Sequence, residues 1–152
     1  MNEAFSDLQV VGKFETDKDY LPFENSMKNT KNTIQGNIYV STIGTGTSNT
    51  EYEFLTGNSM AFLPIGSNAY TLYEKHTQPG LAMTLSDQNY STTAFHPYHK
   101  ENWNRINTYQ YMNFERFIGM EDITNYQKLR NYISDEWDFQ HVIDLYKQRD
   151  PT

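Results

Sequence analysis

Cysteine is missing altogether from the 152 residues. A disulfide framework, a thiolate nucleophile and a cysteine-ligated zinc site are therefore unavailable to this chain. Long apolar runs are missing too. None approaches the roughly 20 residues that cross a bilayer. The opening MNEAFSDLQVVGKFETDKDY has no basic stretch followed by an apolar core, so it does not read as a secretory leader. These absences predict a product that is soluble in the cytoplasm where it is made and has no membrane partner. Positive charge is scarce: 12 Lys and Arg stand against 19 Asp and Glu, for a net charge of −7. Broad nucleic-acid binding needs a positive footprint and is not expected. The acids are scattered rather than clustered in long runs, which favours ordinary solubility over mimicry of nucleic acid.

What the chain does have is aromatic side chains and uneven charge. It carries 12 Tyr, 9 Phe and 2 Trp, and Tyr buries a ring while keeping a polar tip. Between Ser41 and His99 the only charged residues are Glu51, Glu53, Glu74, Lys75 and Asp87. Charge therefore divides the chain into a charged N-terminal arm (1–32), a polar, nearly neutral middle (33–99) and a charged, aromatic C-terminal part (100–152). The arm has a short apolar patch at Leu8, Val10 and Val11, a Leu21-Pro22-Phe23 element able to dock, and little else to repay ordering.

The middle has the marks of β-structure. Ile34, Ile38 and Val40 fall on alternate positions, with Gly36 as a possible bulge. Gly44-Thr45-Gly46-Thr47 is a tight turn, since glycine tolerates positive φ. Further strands are expected at Glu51 to Leu55, Met60 to Ile65 and Ala69 to Tyr73, separated by Gly57-Asn58 and Gly66-Ser67-Asn68. Residues 74–100 read as loop with a short strand at Leu81 to Leu85. In the C-terminal part, Ile123, Tyr126, Leu129, Tyr132 and Ile133 recur at helical spacing, and Thr124 to Gln127 has the form of a capping box. A second helix is expected over Asp135 to Gln148, stopped at Asp150-Pro151, with a strand at His141 to Tyr146 as the alternative. Residues 105–118 fit either period. The expected fold class is α+β: a small antiparallel β-sandwich or barrel followed by C-terminal helices, with an extended N-terminal arm, forming one domain.

No catalytic signature emerges. His96 and His99 are the only close histidine pair, but Pro97 lies between them and no nearby cysteine or paired carboxylates complete a metal shell. The Gly-Thr-Gly-Thr turn lacks the Gly-Lys-Ser/Thr ending that a phosphate loop requires. Glu51 and Glu53 would share one face of a strand, where carboxylates ordinarily just meet water. A serine triad would be arbitrary among so many hydroxyls. The chain is accordingly expected to be no enzyme and to need no cofactor or metal. Its aromatic residues suit a core and also a protein interface. The candidate interface residues are Leu21, Phe23, Trp103, Tyr109, Tyr111 and Trp137.

The run from Thr33 to Thr47, followed by Phe54, Gly57, Phe62 and Ala69 to Tyr73, resembles a small β-module of virion structural proteins from tailed bacteriophages. Asn58 stands where that module usually has aspartate, and the Thr47 to Phe54 spacing is longer than its pattern. The resemblance implies a structural component of a tail, baseplate or neck, located in the virion. Its partners would be other virion proteins or further copies of itself. Two alternatives stay open. One is a small acidic inhibitor or immunity protein that occludes an enzyme. The other is an effector-binding module: NYQKLRNYISDEWDFQHVIDLYKQRDP is similar to the end of the ligand domains of drug-sensing regulators. That likeness would make Trp137, Tyr146 and Glu136 or Asp144 a pocket for a hydrophobic cation.

Overall fold

The computed structural model describes residues 5–44 and 46–149. Its organising unit is a parallel strand–helix–strand element. Strand β1 (Thr93–Phe95) lies parallel to β2 (Arg116–Ile118), with Ala94 opposite Phe117 and Phe95 opposite Ile118. Parallel neighbours cannot be joined by a hairpin and need a crossover. Helix α5 (Arg105–Tyr111) supplies it. The pairing continues past the strands through His96 N to Ile118 O (3.0 Å) and Met120 N to Tyr98 O (3.0 Å).

Four short helices precede this unit: α1 (Pro22–Met27), α2 (Thr47–Thr56), α3 (Ala69–Leu72) and α4 (Leu81–Ser86). Helix α2 packs against α3 and α4. Beyond β2 a two-stranded hairpin forms from β3 (Lys128–Leu129) and β4 (Tyr132–Ile133). Arg130 and Asn131 at its tip both take positive φ, the primed two-residue turn that matches strand twist. Helix α6 (Asp135–Lys147) follows. The Ser134 side chain accepts from Trp137 N at its start, with Asp135, Glu136 and Asp138 in its first turn and Lys147 in its last.

Two apolar clusters hold these pieces. Tyr52, Met60, Ala69, Tyr70, Ala94, Tyr109 and Met112 form the first. Tyr109 meets Phe117 edge to face at 4.7 Å and Phe114 at 5.2 Å. Burying a ring of this size contributes about 2 kcal/mol from area alone. Ile118, Ile123 and Ile133 form the second, with Phe95, Tyr126, Trp137 and Leu145 packed around them.

The expected antiparallel sandwich or barrel is not the fold. The described residues contain two sheets of two strands each, one parallel and one antiparallel. The architecture is α/β. Four strands assigned from the middle of the sequence are helical or irregular instead. Glu51 to Leu55 lies within α2, Met60 opens a single 3-10 turn, and Ala69 and Leu81 begin α3 and α4. Residues 33–44 form no strand, and Ile34 and Ile38 are exposed. The reason is visible in α2. Its buried positions are Ser48, Asn49 and Tyr52, spaced as one face of a helix, but two of the three are polar. A search for apolar periodicity passes over such a face. Asn49 holds it in place, donating from Nδ2 to Ser67 O (2.9 Å) and accepting from Ala69 N (3.0 Å). The converse error occurs at 123–133, where helical spacing of apolar residues belongs to a hairpin, and at β1, which lies in a segment read as loop. The expected turn at residues 44–47 includes Thr45, and the expected stop at Asp150-Pro151 and the first residues of the arm also lie outside the described residues.

Candidate active site

A cavity of about 360 Å³ opens beyond the carboxyl ends of β1 and β2, where ligands bind in open parallel sheets. Thr47, His96 and Arg105 line its polar side; Tyr98, Trp103 and Tyr132 line its aromatic side, with Asn102 between. Each arrives by a different route. Thr47 is the first residue of α2 and is exposed. The first turn of a helix carries partial positive charge, which suits an anion, and here the Asn49 N–H is given to Gly46 O at 3.1 Å. The residue before it, Gly46, has φ +49, and a Cβ there would come within 3.2 Å of the Trp103 ring. Glycine is thus favoured twice, by the positive φ and by the close Trp103 ring.

His96 and Tyr98 leave the end of β1, fixed by the hydrogen bonds that extend the parallel ladder. Trp103 and Asn104 both adopt left-handed backbone, with φ of 57 and 60. Two consecutive non-glycine residues there cost free energy, and such strain concentrates at functional sites. Asn104 secures the bend by donating from Nδ2 to Tyr70 O at 2.9 Å.

Arg105 sits beneath the cavity with its side chain 1 % exposed. Its Nη2 and Nε donate to Glu51 Oε1 and Oε2 at 2.7 and 3.3 Å, and its Nη1 donates to Asn102 O at 3.3 Å. The Tyr109 hydroxyl donates to Glu51 Oε2 at 3.0 Å. Burial works against the charge of Arg105, but its bonds to Glu51 outweigh that and hold its pKa above the usual value. Burial pushes both Tyr109 and Tyr70 upward, reinforced by the Glu51 charge, so both remain phenols. His96 is driven down to about 4, first by burial and then by the Arg105 charge, and its imidazole is neutral at physiological pH. A second cavity of about 380 Å³ shares His96 with the first, reaches Glu51, and is walled by Phe54, Phe95, Phe114 and Phe139.

The residues singled out from sequence fall in several places. Trp103 lines the cavity. Tyr109 lies in the first cluster and braces Glu51. Trp137 packs in the second cluster, stacked on His141 at 4.7 Å. Tyr111 is half-buried on α5. Leu21 precedes α1, where Phe23 is exposed. These six are not brought together. His96 and His99 do not share a site: His96 faces the cavity, while His99 Nδ1 contacts Glu121 Oε1 at 2.9 Å. Among the described residues no three His, Asp or Glu side chains converge, so they do not by themselves furnish a divalent-metal shell. Glu51 and Glu53, expected on one strand face, separate on the helix. Glu51 takes Arg105, and Glu53 accepts from Met60 N at 2.7 Å. Thr47, Glu51 and Arg105 were missed as a set. The available signal was a glycine followed by small polar residues and no acid for a full turn, a pattern that can open a helix toward an anion.

The same segments carry the likeness to known proteins. A family model described as Sulfatase matches residues 14–151. A Rhizobium meliloti (strain 1021) protein named for cyclic beta-1,2-glucan modification is 33 % identical over 136 residues, covering 90 % of this chain and 20 % of that protein. The crystal structure of the lipoteichoic acid synthase LtaP from Listeria monocytogenes superposes with a TM-score of 0.58 at 18 % identity, over 72 % of this chain and 27 % of that one. At that identity the likeness is one of fold. The chain spans about a fifth of the curated relative. These matches overturn the bacteriophage reading, its virion location and its tail or baseplate role. They support neither the inhibitor nor the effector-module alternative. The expectation of a non-enzymatic module is corrected by them as well. No described helix is long and apolar enough to cross a membrane. From Phe14 to Pro151 this chain belongs to the sulfatase family of enzymes, in an α/β fold.

Proposed function

We propose that this chain carries the nucleophile side of a catalytic centre that removes or transfers a tetrahedral anionic group, sulfo or phospho, from an ester. The observation that supports this most is the placement of the Thr47 hydroxyl at the mouth of α2, in a cavity underlain by a buried, clamped Arg105. The ester anion lies at the positive end of α2, where charge on the transferring group is stabilised by fixed dipoles rather than by reorganising water. Thr47 Oγ forms the new bond to phosphorus or sulfur. The ester bond to the alcohol oxygen breaks, and the alcohol leaves with a proton in place of the one the hydroxyl gave up. Water or a second alcohol then takes the group from Thr47. Neutral His96 offers a hydrogen bond in the cavity without adding charge. The name of the Rhizobium meliloti relative, for cyclic beta-1,2-glucan modification, favours a carbohydrate polymer as one reaction partner.

The test is turnover of p-nitrophenyl phosphate and p-nitrophenyl sulfate by wild type and Thr47→Ala. The variant is expected to lose activity by at least about a hundredfold with its circular dichroism unchanged. Wild-type turnover by Thr47→Ala would overturn the assignment.

A further inference from the structure

Three large aromatic side chains stand exposed around the polar floor: Tyr98 is 38 %, Trp103 41 % and Tyr132 65 % exposed. They line the same cavity from two places: Tyr98 and Trp103 from the connection between β1 and α5, and Tyr132 from the hairpin. Tyr132 is the most exposed of them and yet the most firmly directed. Its neighbour Ile133 is buried in the second apolar cluster, and successive strand residues point to opposite faces. With Ile133 anchored inward, Tyr132 is turned outward toward the cavity. The Leu129–Tyr132 register and the bond from Ser134 N to Gln127 O (2.9 Å) leave the hairpin no freedom to slip. The Tyr98 and Tyr132 rings lie 6.4 Å apart and 37° from parallel, forming one continuous wall.

An inorganic anion on the floor gains little from such a wall. The alcohol part of an ester, projecting out of the cavity, lies along it. The geometry points to Tyr132, backed by Tyr98, as a specificity-determining residue that selects esters whose alcohol offers a flat carbon–hydrogen face, such as a sugar ring. This rests on the reading of the floor as an anion site. The hairpin then acts in recognition and takes no part in bond breaking.

Two phosphate monoesters of equal charge separate floor from wall: methyl phosphate and glucose 1-phosphate, titrated calorimetrically into wild type, Tyr132→Ala, Tyr132→Phe and Thr47→Ala. Wild type is expected to prefer glucose 1-phosphate. Tyr132→Ala should shrink the ratio of the two affinities by roughly three- to tenfold, the worth of one ring contact. Tyr132→Phe, which keeps the ring, should retain the ratio. Thr47→Ala should weaken both probes while leaving their ratio. A ratio unchanged in Tyr132→Ala, or a wild type that binds methyl phosphate equally well, overturns the wall and leaves the floor standing. A wild type that binds neither probe overturns both.

Discussion

Arg105 and Glu51, 54 residues apart in sequence, meet through two hydrogen bonds of 2.7 and 3.3 Å with the guanidinium almost wholly buried. The pair ties α2, which starts at the candidate nucleophile, to α5, which follows the strained Trp103. Breaking such a pair from one side strands a buried charge. Glu51→Ala is therefore expected to destabilise the fold by about 3–5 kcal/mol, read by denaturant unfolding. Replacing both partners with apolar residues should cost less than the Glu51 change alone. If the double variant is the less stable, the pair is worth more than its desolvation.

Glu74 is fully buried, and neither carboxylate oxygen has a hydrogen-bond partner. Burial raises its pKa above the ordinary glutamate value of 4.5, with His76 the opposing charge. The sign follows directly. The unfolded chain releases this proton first, so the contribution of Glu74 to stability is fully present below 4.5 and is lost as pH rises from there through the raised folded value, by up to roughly 1.4 kcal/mol per pH unit. Glu74→Gln should flatten that slope and raise the melting temperature at pH 7. A pH profile identical to wild type would show that Glu74 finds a partner in solution.

Asn49 is 1 % exposed and satisfies one buried carbonyl and one buried N–H in the 67–69 turn. Asn49→Ala leaves both unpaired and is expected to cost about 2–4 kcal/mol. The loss should be accompanied by faster amide exchange at Ala69, since that amide donates to the Asn49 side chain. Slow exchange at Ala69 in the variant would mean that water replaces the lost bond.

Two glycines separate site from scaffold. A Cβ on Gly80 would lie 2.6 Å from Leu55 O, which is backbone and cannot swing aside. Gly80→Ala should push α4 from α2 and destabilise by about 1–3 kcal/mol with little change in Trp103 emission. Gly46→Ala meets the Trp103 ring itself and should shift that emission. Equal emission spectra for the two variants would contradict this geometry.

Parts of the molecule are written locally. Helix α6 follows from its Ser134 cap, acidic first turn and terminal Lys147, all features of adjacent residues, and it spans the segment where periodicity places a helix. The glycines at 44 and 46 do adopt positive φ, as their lack of a side chain permits. The sequence also bars cysteine chemistry by having no cysteine. Other features were decided only by long-range contacts. Helix α2 buries Ser48 and Asn49 because residues 67–69 supply their partners, and no period within the segment announces that. The parallel pairing of β1 with β2 joins two strands of three residues each, too short to be recognised alone. The site is the furthest from local: Thr47, Glu51, Arg105 and Tyr132 become one place because a crossover, a buried ion pair and a hairpin bring them together.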